Sequence, residues 1–358
     1  MPTIGMPRIA IEFKSAGLTA IQRSERGIAL LILKDDTNKV QHSYTFTNLA
    51  DVNEDDFTAD NYKYIKLAFE GKPYKLMIEN YSVTRNLATL LTDISTKKFN
   101  YFSMPVQEEG DKEKLISWHD DIRKRKDKTI KLVQYDAPED NDHVLNWSTS
   151  EVKYKGVEYK ENEFTPIISS LLAGLSLQRS STYLVINGIE SCSLEHAEDE
   201  DKAVNEGKLF LTFDGEKYKI ARGVNSLVTY TQDQGEDFSK IRIIEGMDLV
   251  KDDIRDTFND FYVGKILNTY ANKQQFIALI NRVYFKELEN TVLEATANNY
   301  VDISMELNRK YAIKRGKNVD DMTDFQIKSY NTGSNVFLDG GLSFLDAMED
   351  LVIRFNLD

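Results

Sequence analysis

The sequence is poor in the residues that build chemistry. One cysteine, Cys192, stands among 358 residues, so no disulfide forms within the chain, and a reducing cytoplasm is the expected compartment. Six prolines and 18 glycines are few for this length and leave little material for disordered linkers. Positive charge is in deficit. The formal net charge is −13, a poor match for phosphate backbones or anionic membrane surfaces. No hydrophobic run is long enough to span a bilayer, and "MPTIGMPRIA" has no apolar core of a signal peptide. Nucleic-acid binding and membrane insertion are therefore not expected.

Catalytic and metal signatures are equally thin. The four histidines His42, His119, His143 and His196 form no H-E-x-x-H pair. Neither a G-x-S-x-G elbow nor a phosphate-cradling G-x-x-x-x-G-K-[ST] loop occurs, and "YVGKI" offers only an isolated Gly-Lys. The nearest metal-like group is Cys192, Glu195, His196 and Glu198 in "CSLEHAEDE", which reads as a solvated acidic loop. The basic run "RKRKDK" (123–128) reads as a helix C-terminus, where cations oppose the negative end of the dipole. No cofactor, metal or catalytic residue is expected.

What is present is a chain rich in apolar (41%) and aromatic (11%) residues, enough for sizeable cores in more than one domain. "GIALLILKD" is a continuous apolar run, the pattern of a strand buried on both faces. "VTRNLATLLTDISTKK", "FNYFSMP", "EKLISWHDDIRKRKDK" and "TIKLVQY" alternate helical and extended patterns, which predicts a mostly parallel sheet with crossover helices. "YKYIKLAFEGKPYKLMIEN" reads as strand-rich or as a short helix broken at Gly71-Lys72-Pro73.

Further on, "VKYKGVEY" predicts two strands around Lys155-Gly156, and "FTPIISSLLAGL" predicts a helix with Thr165 at its cap and Pro166 in its first turn. "TYLVING" predicts a strand. "KLFLTFDGEKYKIARGVNSLVTY" predicts a hairpin at Asp214-Gly215 and one more strand. From about Ile241 the pattern turns helical, with Val250, Ile254, Phe258 and Phe261 on one stripe, and Asn272 is the expected cap of the next helix. "VDISMELNRKYAI" reads as strand, and "NVFLDGGLSF" as a turn at Asp339-Gly340-Gly341.

Both extremities carry strand alternation. Ile9, Ile11 and Phe13 share one face of "RIAIEFK", and Leu351, Ile353, Phe355 and Leu357 one face of "DLVIRFNLD". Termini fray unless something holds them. Taken alone, the pattern allows pairing within the chain or with a neighbour.

Several stretches, in order, resemble the contractile tail sheath proteins of bacteriophages and R-type bacteriocins, in the PBSX-like form of Gram-positive hosts. They are "PRIAIEFKSAGLTAIQRSERGIALLIL", "TPIISSLLAGLSLQRSSTYLVI", "EGKLFLTFDGEKYKIARGVNSLVTY", "KIRIIEGMDLVKDDIRDTFNDFYVGKILN" and "NVFLDGGLSFLDAMEDLVIRF". "GVNSL" after a paired strand is the most specific mark.

The resemblance implies an α/β fold, subtilisin-like in shape only. It implies an N-terminal arm (1–26), a small β-sandwich domain (27–88), an α/β sheath domain (89–240), a tube-facing mixed domain (241–349) and a C-terminal arm (350–358). It implies a structural subunit, not an enzyme, in stacked hexameric rings around a tail tube. Its partners would be copies of itself, the tube protein, and baseplate and terminator proteins, met first in the host cytoplasm. The arms would each add a strand to a neighbour's sheet, through Ile9, Ile11, Phe13, Leu351, Ile353, Phe355 and Leu357. Lys251, Arg255 and Lys265 are candidates for tube contact. A tube or baseplate component, or an enzyme on an α/β fold, are the alternatives.

Overall fold

A computed structural model describes residues 21, 23–82 and 85–356. It divides into two compact units. The larger holds residues 24–252, 290–294 and 344–356, and the smaller holds Arg23, Asp253–Glu289 and Ala295–Ser343.

The larger unit is built on β1 (Ile28–Lys34), β2 (Ser43–Phe46), α1 (Ala59–Glu70), β3 (Lys75–Tyr81), α2 (Leu87–Ile94), β4 (Tyr101–Ser103), α3 (Asp111–Lys126), β5 (Lys131–Tyr135) and β6 (Val144–Trp147). It continues with β7 (Val152–Tyr154), β8 (Val157–Tyr159), α4 (Thr165–Gly174), β9 (Ile189–Ser191), α5 (Glu200–Asn205), β10 (Lys208–Leu209), β11 (Leu211–Phe213), β12 (Tyr218–Ile220) and the first half of α6 (Ile241–Phe261). Seven strands form one sheet in the order β10-β6-β5-β4-β1-β3-β2. All neighbours are parallel except β2 on β3.

The apolar run that predicted a doubly buried strand is β1, next to the middle of that sheet. Its side chains alternate between two cores. Ala29, Leu31 and Leu33 pack with Tyr64 and Ile65 of α1 and Ile167 and Ile168 of α4. Ile28, Leu30 and Ile32 pack with Leu90, Leu91 and Ile94 of α2 and Leu115 and Ile122 of α3. Period-two alternation thus supplies both faces of a three-layer α/β unit. α1 stops at Gly71, where a Cβ would fall 2.6 Å from Leu171 N, so only glycine lets α4 pack this close.

Several expectations need correction. The described residues of 27–88 form no separate β-sandwich: β1, β3 and β2, in that order, are one edge of the seven-stranded sheet, with α1 in the crossover to β3. "YKYIKLAFE" lies in α1, capped by Thr58, because its apolar residues fall on one helical face. Thr165 starts α4 rather than capping it, and its hydroxyl donates to Asn162 O at 2.7 Å. "TYLVING" and "GVNSLVTY" make only single bridges, Val185 to Lys219 and Val224 to Lys240. The hairpins at Lys155-Gly156 and Asp214-Gly215 form as expected. The first turns through positive φ at both central residues, as a two-residue hairpin loop requires.

The smaller unit contains the rest of α6, α7 (Tyr270–Leu279) with a π-helical continuation over Ile280–Tyr284 into α8 (Phe285–Leu288), β13 (Tyr300–Ile303), α9 (Met305–Lys314), α10 (Asp324–Lys328) and β14 (Leu338–Gly341). Thr269, not Asn272, caps α7, and accepts from Asn272 N. "SMELNRKYAI" is helical after four strand residues, since Ser304 caps α9. Residues 338–341 are a strand antiparallel to β13, not a turn.

A cluster of buried ionic groups lies at the amino end of the parallel sheet. Lys131, 1% exposed, opens β5 and pairs with Asp248 and, at 2.7 Å, with Glu245 of α6. Arg26, just before β1, pairs with Glu245 and with Asp252 at 3.4 Å. Tyr101 donates to Glu245 and Thr129 to Asp252, at 2.7 and 2.6 Å. His143 lies 3.0 Å from Asp248. Although burial disfavours its charge, the cations of Arg26 and Lys131 hold Glu245 at about 2. His143 and Arg123 hold Asp142 at about 2 against its own burial, and Asp248 is lowered too.

These carboxylates are more acidic folded than unfolded. Their stabilisation is complete above the ordinary carboxylate range, near pH 4, and is lost as pH falls toward 2. The melting temperature should therefore drop steeply over about pH 4.5 to 2. Lys131→Met leaves two buried carboxylates short of a cation and should cost about 3–5 kcal/mol in denaturant unfolding.

Candidate assembly surfaces

The residues singled out for chemistry do not converge. His196 Nε2 sits 2.8 Å from Ser148 Oγ, with its ring against Phe210. Glu195 accepts from Ser150 and Ser193. Burial pushes the Cys192 thiol up to about 11, away from thiolate chemistry. Among the described residues no three His, Cys, Asp or Glu side chains are placed to hold a metal. The basic run is the last turn of α3 and its end: Arg123 bonds Asn141 and Asp142, Arg125 pairs with Asp121, and Lys128 donates to Lys97 O.

The candidate site is instead the chain from Phe344 onward, and it is built in two parts. The first part is tethered to the larger unit. Leu345 N donates to Val292 O at 2.9 Å. Asp346 pairs with Lys240 at 2.6 Å. Glu349 accepts from Ser180 at 2.7 Å and pairs with Arg222 at 3.2 Å, while Asp350 takes the other end of the same guanidinium at 2.8 Å. Arg222 holds Asp350 below its ordinary range, and the pairing raises Arg222 in turn.

The second part is held by none of the described residues. Leu351, Val352, Ile353 and Phe355 are 83%, 84%, 58% and 83% exposed, and 351–356 forms no strand with any described residue. A cluster of large apolar side chains left in water marks a surface awaiting a partner. Of the exchange residues named from the sequence, Leu351, Ile353 and Phe355 are therefore unpaired among the described residues. Ile9, Ile11, Phe13 and Leu357 lie outside the described residues.

The smaller unit holds a strand edge with complementary character. In the β13–β14 ribbon, Asn281 closes the outer edge of β13: its amide donates to Val301 O and accepts from Val301 N, both at 2.8 Å. Val301 thus faces away from β14, and by the alternation of an antiparallel pair its partner Gly340, and Leu338 two residues before, face away from β13. Among the described residues nothing pairs with that edge of β14. A two-stranded ribbon is marginal and gains from a third strand.

The three basic residues proposed for tube contact are not equivalent. Lys251 belongs to the larger unit and is neutralised by Asp127 at 2.5 Å. Arg255 and Lys265 belong to the smaller unit; Arg255 lies 3.5 Å from Asp256, and Lys265 donates to Asp260 O beyond the end of α6. Sequence reasoning missed Arg222, Lys240 and the acids that tether the C-terminal segment. Their only sequence signal is the acidic stretch "DAMED" before an apolar alternation.

Comparison with known proteins gives a consistent picture. Residues 233–357 match the phage tail sheath C-terminal domain family. The chain is 34% identical over 365 residues to a tail sheath protein of Clostridium phage phiCD119, covering 99% of both. It is 24% identical over 179 residues to the phage-like element PBSX protein XkdK of Bacillus subtilis, covering 48% of this chain and 38% of that protein. The fold matches the contracted helical sheath of the anti-feeding prophage with a TM-score of 0.69 at 13% identity, over 99% of this chain and 100% of that one. It also matches the sheath tail protein of Desulfitobacterium hafniense with a TM-score of 0.66 at 14% identity, over 82% and 93%.

The tether at Arg222 is exposed, so Arg222→Ala should cost no more than about 1 kcal/mol of global stability. It should nevertheless speed tryptic cleavage after Arg354 and weaken amide protection around residues 345–350, as followed by mass spectrometry. Unchanged cleavage and protection would show that the ion pairs do not hold the segment.

Proposed function

The chain belongs to the phage tail sheath family, and on that premise we propose that it polymerises by lending its terminal strands to neighbouring copies. It is a structural subunit of a contractile tail sheath. The observation that supports the exchange reading is the exposed Leu351–Ile353–Phe355 face, unpaired among the described residues while β14 keeps an edge that no described residue pairs. A strand added there gains main-chain hydrogen bonds, and its alternate side chains set the register.

The ion pairs at Arg222 and Lys240 suit this use. They hold the root of the segment on its own subunit while the apolar part reaches outward. Ile9, Ile11 and Phe13 supply the corresponding face of the N-terminal arm. Contacts of this kind join different patches on the two copies. They give rings when the rotation closes and helices when it does not. In this reading the copies form hexameric rings stacked around a tail tube, met by baseplate and terminator proteins, with Arg255 and Lys265 toward the tube. Contraction then draws on energy held in subunit contacts, and the arms keep copies connected as they reorient.

Negative-stain electron microscopy of the concentrated protein tests this. Wild type should form rings or tubes. Variants lacking residues 350–358, or 1–14, should stay dispersed at the same concentration with an unchanged melting temperature. Ordered sheaths from either truncation would overturn the exchange reading.

A further inference from the structure

The smaller unit contains a groove of about 490 Å³ whose lining includes Lys265, one of the residues expected at the tube. Phe258, Tyr262 and Phe276 form an aromatic wall, with ring centroids 4.5–5.8 Å apart. Val263, Ile266 and Leu267 line it and are at least half exposed or nearly so. Residues 333, 334 and 336, which lead into β14, close its far side.

Two polar atoms in this groove are out of keeping with an apolar surface. Lys273 is 5% exposed, and among the described residues its ammonium donates to the Thr332 hydroxyl, at 3.0 Å. Among the described residues no carboxylate pairs with it, and burial lowers its pKa. Asn268 donates to Gly333 O and Asn335 O, at 2.7 and 2.8 Å, but its own carbonyl oxygen is buried with no donor. A buried cation and a buried acceptor left unmatched are costly and point to a missing ligand carrying an anion and an N–H.

We propose that this groove receives the end of the C-terminal segment of a neighbouring copy, with Phe355 and Leu357 on the aromatic wall and the Asp358 carboxylate on Lys273. The proposal rests on the strand-exchange reading and gives it an anchor. β14 begins directly after the groove, so a strand laid antiparallel along its open edge ends at the groove. The segment matches in chemistry. Asp358 is its one carboxylate side chain beyond Asp350, which Arg222 already holds. A backbone N–H of the same strand supplies the donor that Asn268 lacks.

Assembly of the full chain tests the anchor. Lys273→Met should leave the melting temperature of the dispersed subunit unchanged or higher, since it removes an unpaired buried cation. It should nonetheless raise the concentration needed for half-maximal assembly by about tenfold or more. Asp358→Asn should give a similar shift, and the double variant no greater one, because both remove the same contact. In sheaths grown from mixed heavy- and light-isotope subunits, carbodiimide should link Lys273 to Asp358 in heavy–light pairs. If Lys273→Met assembles like wild type while loss of 350–358 blocks assembly, strand exchange stands and the groove assignment falls. A Lys273 link to its own copy, or to a tube protein in place of a second copy, would also overturn the assignment.

Discussion

Everything in the larger unit is organised around carboxylates that cannot be left alone. Glu245, Asp248 and Asp252 recur on one face of α6 and are turned into the protein rather than toward water. A buried carboxylate without a cation costs several kcal/mol, so the partners must be in place. They come from separate parts of the chain: Arg26 before β1, Tyr101 opening β4, Lys131 opening β5 and His143 just before β6. One helix thereby gathers the amino ends of four strands. In a parallel α/β sheet, ligands are normally received at the opposite, carboxyl end. Here the amino end is sealed with ion pairs, and that makes it a structural joint.

The same device recurs where the chain leaves the body. Arg26 belongs to the buried cluster and closes the segment expected to be the N-terminal arm. Arg222 and Lys240 secure the root of the C-terminal segment through Glu349, Asp350 and Asp346. Charge fixes the root of the C-terminal segment, and the apolar side chains of 351–355 beyond it stand exposed. On the proposed exchange, that division suits a polymer whose subunits reorient, because a tethered root would keep connectivity while the strand beyond it bonds the next copy.

Much of the fold was legible. β1, with its unbroken apolar run, reads as a doubly buried strand because both of its faces meet helices. The crossover pattern through Leu87–Ile94, Tyr101–Ser103 and Asp111–Lys126 reads as parallel sheet for the same reason. The hairpins at Lys155-Gly156 and Asp214-Gly215 follow from local turn chemistry. Errors came where long-range pairing decides. Residues 27–88 look like a small β unit until β1 is seen paired to β4. "TYLVING" has strand composition but finds only one bridge, and Gly340-Gly341 has turn composition but is paired by β13. Of the candidate site, the alternation of Leu351, Ile353 and Phe355 was visible. The Arg222 tether and the Lys273 groove were not, because their members are far apart in sequence.

The sequence by itself determined that this is an α/β protein without catalytic or metal-binding signatures, with strand-like extremities and the order of motifs found in tail sheath proteins. Those properties are local or cumulative: periodicity, turn residues, composition. Only the tertiary structure decided which acids are buried and, among the described residues, which strand edge stays open and which buried lysine has no carboxylate beside it. Burial and pairing depend on what the rest of the chain brings alongside a residue, and nothing in its immediate neighbours records that.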